Sequence, residues 1–238
     1  RISGGDARKL LNAIEIIVGT SSVKDNKIEI TNKTTTETIQ QNLTLYDKNG
    51  EQHYDIISAF IKSMRGSDPN ATVYWLARMI ESGEDPLFIA RRMLILASED
   101  IGNANPNALL LANACFDAVH KTGYPECRII LSQCATYLAC SAKSNASYMA
   151  IDDALALVRK KGDLPVPLQI RNAPTRLMKN MGYGNDYKYA HSFEGNFTEM
   201  EFLPPEISGT LLYNPGANAR EEEFRNRLKS LWKNKYQY

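Results

Sequence analysis

Three times in close succession an Asp or Asn stands directly before a proline, at Asp68-Pro69, Asp85-Pro86 and Asn105-Pro106. Each pair joins an N-cap side chain, whose oxygen satisfies orphan N–H groups of a first turn, to a proline. Its missing N–H and preset φ suit the first helical position. The device divides the middle of the chain into short helices, predicted over 69–82, 86–101 and 106–122. An amphipathic stretch over 51–65, stopped by Gly66, precedes them. Pro125 opens another to about Ala142, and Ser144 or Asn145 caps a further one to Lys161. Six helices with connections this short predict an all-α bundle or helical array.

The flanks are less regular. Residues 1–19 read as one helix, with Ala7, Leu10, Leu11, Ile14, Ile17 and Val18 at the i, i+3, i+4, i+7 spacing of a buried face and Gly19 as its stop. Asp6 complements the positive end of that helix, whereas Arg8 in the same first turn opposes it. A polar stretch over 20–36 contains an Ile28-Glu-Ile30 patch, read as a small strand or loop. Thr35 or Thr36 caps a second helix to about Leu43, and Tyr46–Gly50 is turn chemistry and a linker. Beyond Gly162, Leu164-Pro-Val-Pro-Leu168 must be extended, because proline excludes helix for the residue before it. Pro174 opens a short helix ending at Met181-Gly182, and an arm rich in Tyr, Gly and Pro runs from Tyr183 to Asn218. A final helix over 219–234 lines up Phe224, Leu228, Leu231 and Trp232.

With 238 residues, 43% hydrophobic and 23% charged, the chain suits one or two globular domains. A net charge of +1 provides no global attraction to nucleic acid, although a local basic face remains open. No apolar run approaches membrane-spanning length, and none of these residues reads as a signal peptide. Cys115, Cys127, Cys134 and Cys140 fall in apolar helical stretches without zinc-site spacing and are read as buried, reduced thiols. No phosphate-binding Gly-x-x-x-x-Gly-Lys-Ser/Thr loop occurs, and Gly182-Tyr-Gly184 lacks the rest of a dinucleotide fingerprint. His53, His120 and His191 are too scattered for a shared metal. The residues therefore present no catalytic centre.

Three polar clusters stand out. The first is Lys62–Asp68, across a helix–helix turn. The second joins Arg91-Arg92 to Glu99-Asp100, acids at a helix C-terminus where the dipole disfavours them. Arg65, Asp68, Arg91, Arg92, Glu99 and Asp100 are thus candidates for a structural or interfacial charge network, with a hidden catalytic role for Glu99 and Asp100 the enzymatic alternative. The third runs from Arg171 to Lys179, with Lys188, Tyr183, Tyr187 and Tyr189 nearby. Cations mixed with aromatics suit single-stranded nucleic acid, and equally an arm anchored on the helices. Lys143, Arg171, Arg176, Lys179 and Lys188 are the candidate contacts with DNA or a partner.

Gly4-Gly-Asp-Ala-Arg8 resembles the sensor-2 helix of AAA+ ATPases. Further along stand Arg65-Gly-Ser-Asp-Pro69, Tyr74-Trp-Leu-Ala-Arg-Met79, Gly83-Glu-Asp-Pro86, Ala90-Arg-Arg92, Ala97-Ser-Glu-Asp-Ile-Gly102, Lys143-Ser-Asn145, Val166-Pro-Leu168, Leu177-Met-Lys179 and Gly182-Tyr-Gly184. In this order they resemble the C-terminal part of the RarA/MgsA replication-associated recombination proteins, relatives of the Werner helicase-interacting ATPase. The resemblance runs to about residue 209. It implies a AAA+ ATPase of the clamp-loader type acting at stalled or damaged replication forks, with its ATPase core preceding Arg1. Residues 1–49 would be its lid, with Arg8 as the sensor of the ATP γ-phosphate. Residues 50–238 would be a helical, clamp-loader-collar-like oligomerisation domain with a long irregular arm. The implied cofactors, ATP and Mg2+, belong to the whole protein, and this fragment alone would not hydrolyse ATP. Implied partners are other copies in a homotetramer, DNA at single-strand gaps, ends and forks, and single-stranded DNA-binding protein. The implied location is cytoplasmic and nucleoid-associated. One departure is Ala142, where the family usually has proline before Lys-Ser-Asn; it is expected to lengthen the preceding helix.

Overall fold

The computed structural model describes residues 27–41 and 51–238, together with positions 11, 14, 15, 17–19 and 21. Backbone at 11, 14, 15 and 17–19 is helical, as the apolar spacing predicts; Asp6, Arg8 and the Tyr46–Gly50 linker lie outside the described residues. The described residues contain no extended strand, and the Ile28–Ile30 patch is a loop. The chain is all-α.

Helix α1 spans Asn32–Gln41. It starts ahead of the predicted Thr35 cap because Thr31 and Thr34 cap it reciprocally, each backbone N–H donating to the other's hydroxyl at 2.9 and 3.2 Å. Helices α2 (Glu51–Arg65) and α3 (Pro69–Glu81) match their sequence signals. Between them Asp68 accepts the N–H groups of Asn70 and Ala71, both at 3.0 Å. The buried Thr72 hydroxyl lies 2.7 Å from the Asp68 carbonyl and 3.1 Å from the Ser63 hydroxyl, fixing the turn.

Helix α4 covers Pro86–Leu96 and not the predicted 86–101, because Ala97–Ile101 widens into a π-turn. A 3-10 turn, Gly102–Ala104, follows. Gly102 adopts φ +49°, and a Cβ there would stand 3.0 Å from the Ser144 carbonyl, so both conformation and space require glycine. Helix α5 is Asn107–Thr122 and α6 is Cys127–Cys140. The latter is shorter than the predicted 125–142 at both ends. Pro125 lies in the preceding turn, and Lys143 donates at 2.6 Å to the Ser141 carbonyl that a continuing helix would use. Ala142 thus does not lengthen α6. Helix α7 (Ala146–Lys161) is capped by Ser144, whose hydroxyl accepts the Ala146 N–H at 3.2 Å. Helix α8 (Arg176–Asn180) is capped by Thr175, later than Pro174, and α9 is Ala219–Trp232.

The chain divides into two compact units, residues 1–94 with 111–140, and residues 95–110 with 141–238. In the first, α2, α3 and α6 pack on one another around Phe60, Met64, Leu76, Met79, Leu131 and Leu138, all buried. Full burial of each such side chain stabilises by roughly 1.5–3 kcal/mol. Cys115, Cys127 and Cys134 belong to this core as expected, whereas Cys140 is exposed at the end of α6. The Cys134 thiol is kept protonated by its hydrogen bond with Cys115 and by burial.

The second unit is built differently. Its buried apolar side chains are Leu96, Ala97, Ile101 and Ala108, and after Ser141 only Pro215 and Glu221 are buried. The arm lies against the C-terminus. Phe197 and Phe202 meet the Trp232 ring edge-on at 5.2 and 6.3 Å, and Lys235 pairs with Glu201 at 3.2 Å while sitting 4.6 Å over Trp232.

Candidate functional site

The residues of the proposed charge network come from both units. Arg65, Asp68, Arg91 and Arg92 fall in the first unit, Glu99 and Asp100 in the second. Asp68 is occupied as the α3 cap. Arg91 is exposed, and the Nε of Arg92 is buried without a hydrogen-bond partner among the described residues. Asp100 is buried in the π-turn, and its carbonyl accepts the Ser144 N–H at 2.8 Å.

The basic cluster also divides by role. Lys143 is half-buried and turned onto the Ser141 carbonyl. Arg171 is a strut: its Nε donates to the Val166 carbonyl at 2.6 Å and its Nη1 to the Tyr183 hydroxyl at 3.1 Å, with the guanidinium 5.0 Å from the centre of the Tyr183 ring. Arg176, Lys179 and Lys188 are exposed, as are Leu177, Tyr187 and Tyr189 on the same stretch. Tyr189 also leans on the His191 ring at 5.2 Å.

Two features escape a reading of composition and caps alone. The first is Glu221, fully buried in the first turn of α9. Its carboxylate accepts from the Tyr213 hydroxyl at 3.0 Å and the Asn218 amide at 2.6 Å, and its N–H returns to Asn218 Oδ1 at 3.0 Å. Burial pushes its pKa up, but hydrogen bonds from Ser144, Asn218, Tyr213 and the Gly216 N–H outweigh that and hold it below the ordinary value. Gly216 approaches so closely that a Cβ would stand 2.7 Å from Glu221 Oε2. Asn103 extends the hub, its amide donating to Ser147 at 3.1 Å and to Tyr213 at 3.3 Å. The signal in the sequence is Asn218-x-x-Glu221, the spacing of a capping box.

The second feature is α7, a sixteen-residue helix with no buried side chain. Its inner edge faces the π-turn and the Gly102–Ala104 turn. Tyr148, Ile151, Leu155 and Val158, spaced three, four and three apart, are 43, 55, 43 and 56% exposed. At 3.6 residues per turn they form one apolar seam. An open groove of about 410 Å3 borders it, lined by Ala150, Ile151, Ala154 and Ser147 of α7 with Asn103 and Tyr213. Among the described residues no group of three His, Cys, Asp or Glu side chains could hold a metal ion, and no helix is long and apolar enough to cross a membrane.

Comparison with known proteins matches residues 66–232 to the model of the MgsA AAA+ ATPase C terminal family, and residues 1–65 to that of the AAA C-terminal domain. Replication-associated recombination protein A of Coxiella burnetii is 42% identical over 96% of this chain and 52% of its own length. The protein of that name in Escherichia coli K12 is 43% identical over 94% of this chain and 51% of its own. ATPase WRNIP1 of Dictyostelium discoideum is 41% identical over 86% of this chain and 25% of its own. The chain spans about half the length of the bacterial recombination relatives and less of the amoebal one.

Proposed function

Because this chain belongs to the MgsA AAA+ ATPase C-terminal family, a family with relatives named for replication and recombination, we propose that it is the lid and self-assembly part of a AAA+ ATPase working at stalled or damaged replication forks. Residues 1–49 serve as the lid and residues 50–238 as the module that gathers copies into a homotetramer, in the cytoplasm near the nucleoid. The observation that carries the assembly role is α7, on which Tyr148, Met149, Ile151, Leu155 and Val158 are 43–56% exposed and no side chain is buried. A contiguous seam of this kind marks a surface that another protein covers. Light scattering of the 238-residue chain at tens of micromolar tests the reading: an oligomer is expected, and a clean monomer overturns it.

The sequence has no phosphate-binding loop. ATP and Mg2+ would be bound by the whole protein, with Arg8 as this chain's contribution at the γ-phosphate. In the full-length ATPase, Arg8→Ala should lower ATP turnover while leaving assembly unchanged; wild-type turnover removes the sensor role.

A second reading rests on the exposed Arg176, Lys179 and Lys188 beside exposed Tyr187 and Tyr189. This strip suits single-stranded DNA or a replication partner such as single-stranded DNA-binding protein, with cations for phosphates and rings for stacking. The internal engagement of Arg171 and Lys143 restricts the reading to the three exposed cations. Fluorescence anisotropy with a labelled single-stranded oligonucleotide should show binding that weakens steeply with salt. Arg176→Glu with Lys179→Glu should abolish it, and unchanged affinity overturns this reading.

A further inference from the structure

The α7 seam carries more than an invitation to assemble, because the charges beside it have a polarity. Asp152 and Asp153 lie in the middle of the helix, and Arg159, Lys160 and Lys161 at its end. At 3.6 residues per turn, Asp152 and Arg159 fall on the same edge of the Tyr148–Ile151–Leu155–Val158 seam, two turns apart, and Asp153 falls away from it. All three are exposed.

We infer that α7 pairs antiparallel with the α7 of a second copy, crossing between Ala156 and Leu157, so that Asp152 of each chain faces the partner's Arg159. The inference rests on the self-assembly reading and specifies its surface, orientation and register.

Three arrangements keep the two seams in contact, and charge separates them. A parallel pair sets Asp152 opposite Ser147 and Arg159 opposite Ala154, forming no ion pair along that edge. It also brings like charges and like helix-dipole ends to the same level. An antiparallel pair centred near Asp153 brings Asp152 onto the partner's Asp152. One turn further along, the antiparallel pair stacks Leu155 on the partner's Val158 twice and forms two Asp152–Arg159 pairs about one two-fold axis. Such a contact is isologous and closes on itself, as a stable symmetric interface requires. The apolar seam supplies the affinity and the flanking charges supply the register.

Sedimentation velocity of the full 238-residue chain over a concentration series tests this. Asp152→Arg alone and Arg159→Asp alone each put like charges across both symmetric contacts. Each should weaken self-association by about tenfold, since exposed pairs are each worth roughly two- to fivefold. The double variant re-forms the pairs in reverse and should recover to within about twofold of wild type. Asp153→Arg changes net charge identically but lies off the seam, and should leave association unchanged. Double-variant weakening that merely adds the single effects, or single variants without effect, overturns the pairing. Leu155→Asp removes the seam itself: if that chain assembles as wild type does, α7 is not the interface although self-assembly stands. If the wild-type chain is monomeric throughout, both the pairing and the assembly reading fall.

Discussion

The two units of this chain solve the problem of holding helices together in opposite ways. In the first, α2, α3 and α6 bury Phe60, Met64, Leu76, Met79, Leu131 and Leu138 in a dry interior. In the second, the stretch after Ser141 buries one carboxylate, Glu221, and one proline, while Val158, Ile151, Leu155, Val166 and Leu168 remain in solvent. The first buries a packed apolar core within one chain, although Tyr54, Tyr74 and Ile129 stay exposed on its surface. The second is fastened by a polar hub and an aromatic clasp, and its apolar surface is available to another molecule. A region that carries an assembly surface must tolerate being uncovered before assembly, and hydrogen-bonded anchors supply that tolerance without burying the surface itself.

The contrast can be broken experimentally because each unit carries one of the two tryptophans, Trp75 in the first and Trp232 in the second. Urea unfolding of Trp75→Phe and Trp232→Phe chains therefore reads each unit in turn. Phe60→Ala should have the largest effect, about 3–5 kcal/mol in the Trp75 transition, the cost of a cavity in a packed core. Glu221→Leu should follow at about 2–4 kcal/mol in the Trp232 transition, because it leaves the donors of Tyr213, Asn218 and Ser144 facing an apolar side chain. Gly216→Ala forces a methyl against Glu221 and should cost about 1–3 kcal/mol in the same transition. The smallest effect is expected of Asp68→Ala, about 1 kcal/mol of capping free energy in the first unit. Equal shifts of both transitions for any of these would erase the distinction.

Acid sharpens the same comparison. Glu221 has a folded pKa below its ordinary 4.5, so the carboxylate stabilises the fold above that value, and its contribution is lost as pH falls through the folded pKa. The Trp232 transition should therefore weaken below about pH 4.5 by an amount that disappears in Glu221→Gln. An identical acid response in that variant would show that the carboxylate is not the group responsible.

The all-α class and most helix starts were legible because they depend on neighbours in sequence: Asp68 caps α3 through residues two and three positions away. Helix ends depart from the local signal where a competing partner stands nearby. Thr31 and Thr34 pre-empted Thr35, and Lys143 took the carbonyl that would have extended α6. The Glu221 hub was legible only in its Asn218-x-x-Glu221 spacing: Tyr213, Gly216 and Asn218 are near in sequence, but Ser144, Asn103 and Ser147 come from segments far away in the chain. The proposed DNA cluster was half legible. Residue type located Arg171 and Lys188 equally, but only the fold shows that Arg171 is a strut and Lys188 is exposed.

Hydrogen–deuterium exchange of the wild-type chain, compared at submicromolar and tens of micromolar concentration, reads the two units and the seam together. Amides of 146–161 should gain protection at the higher concentration while those of α2, α3 and α6 exchange alike at both. Exchange of 146–161 that does not change with concentration, or protection gained instead in the first unit, would contradict it.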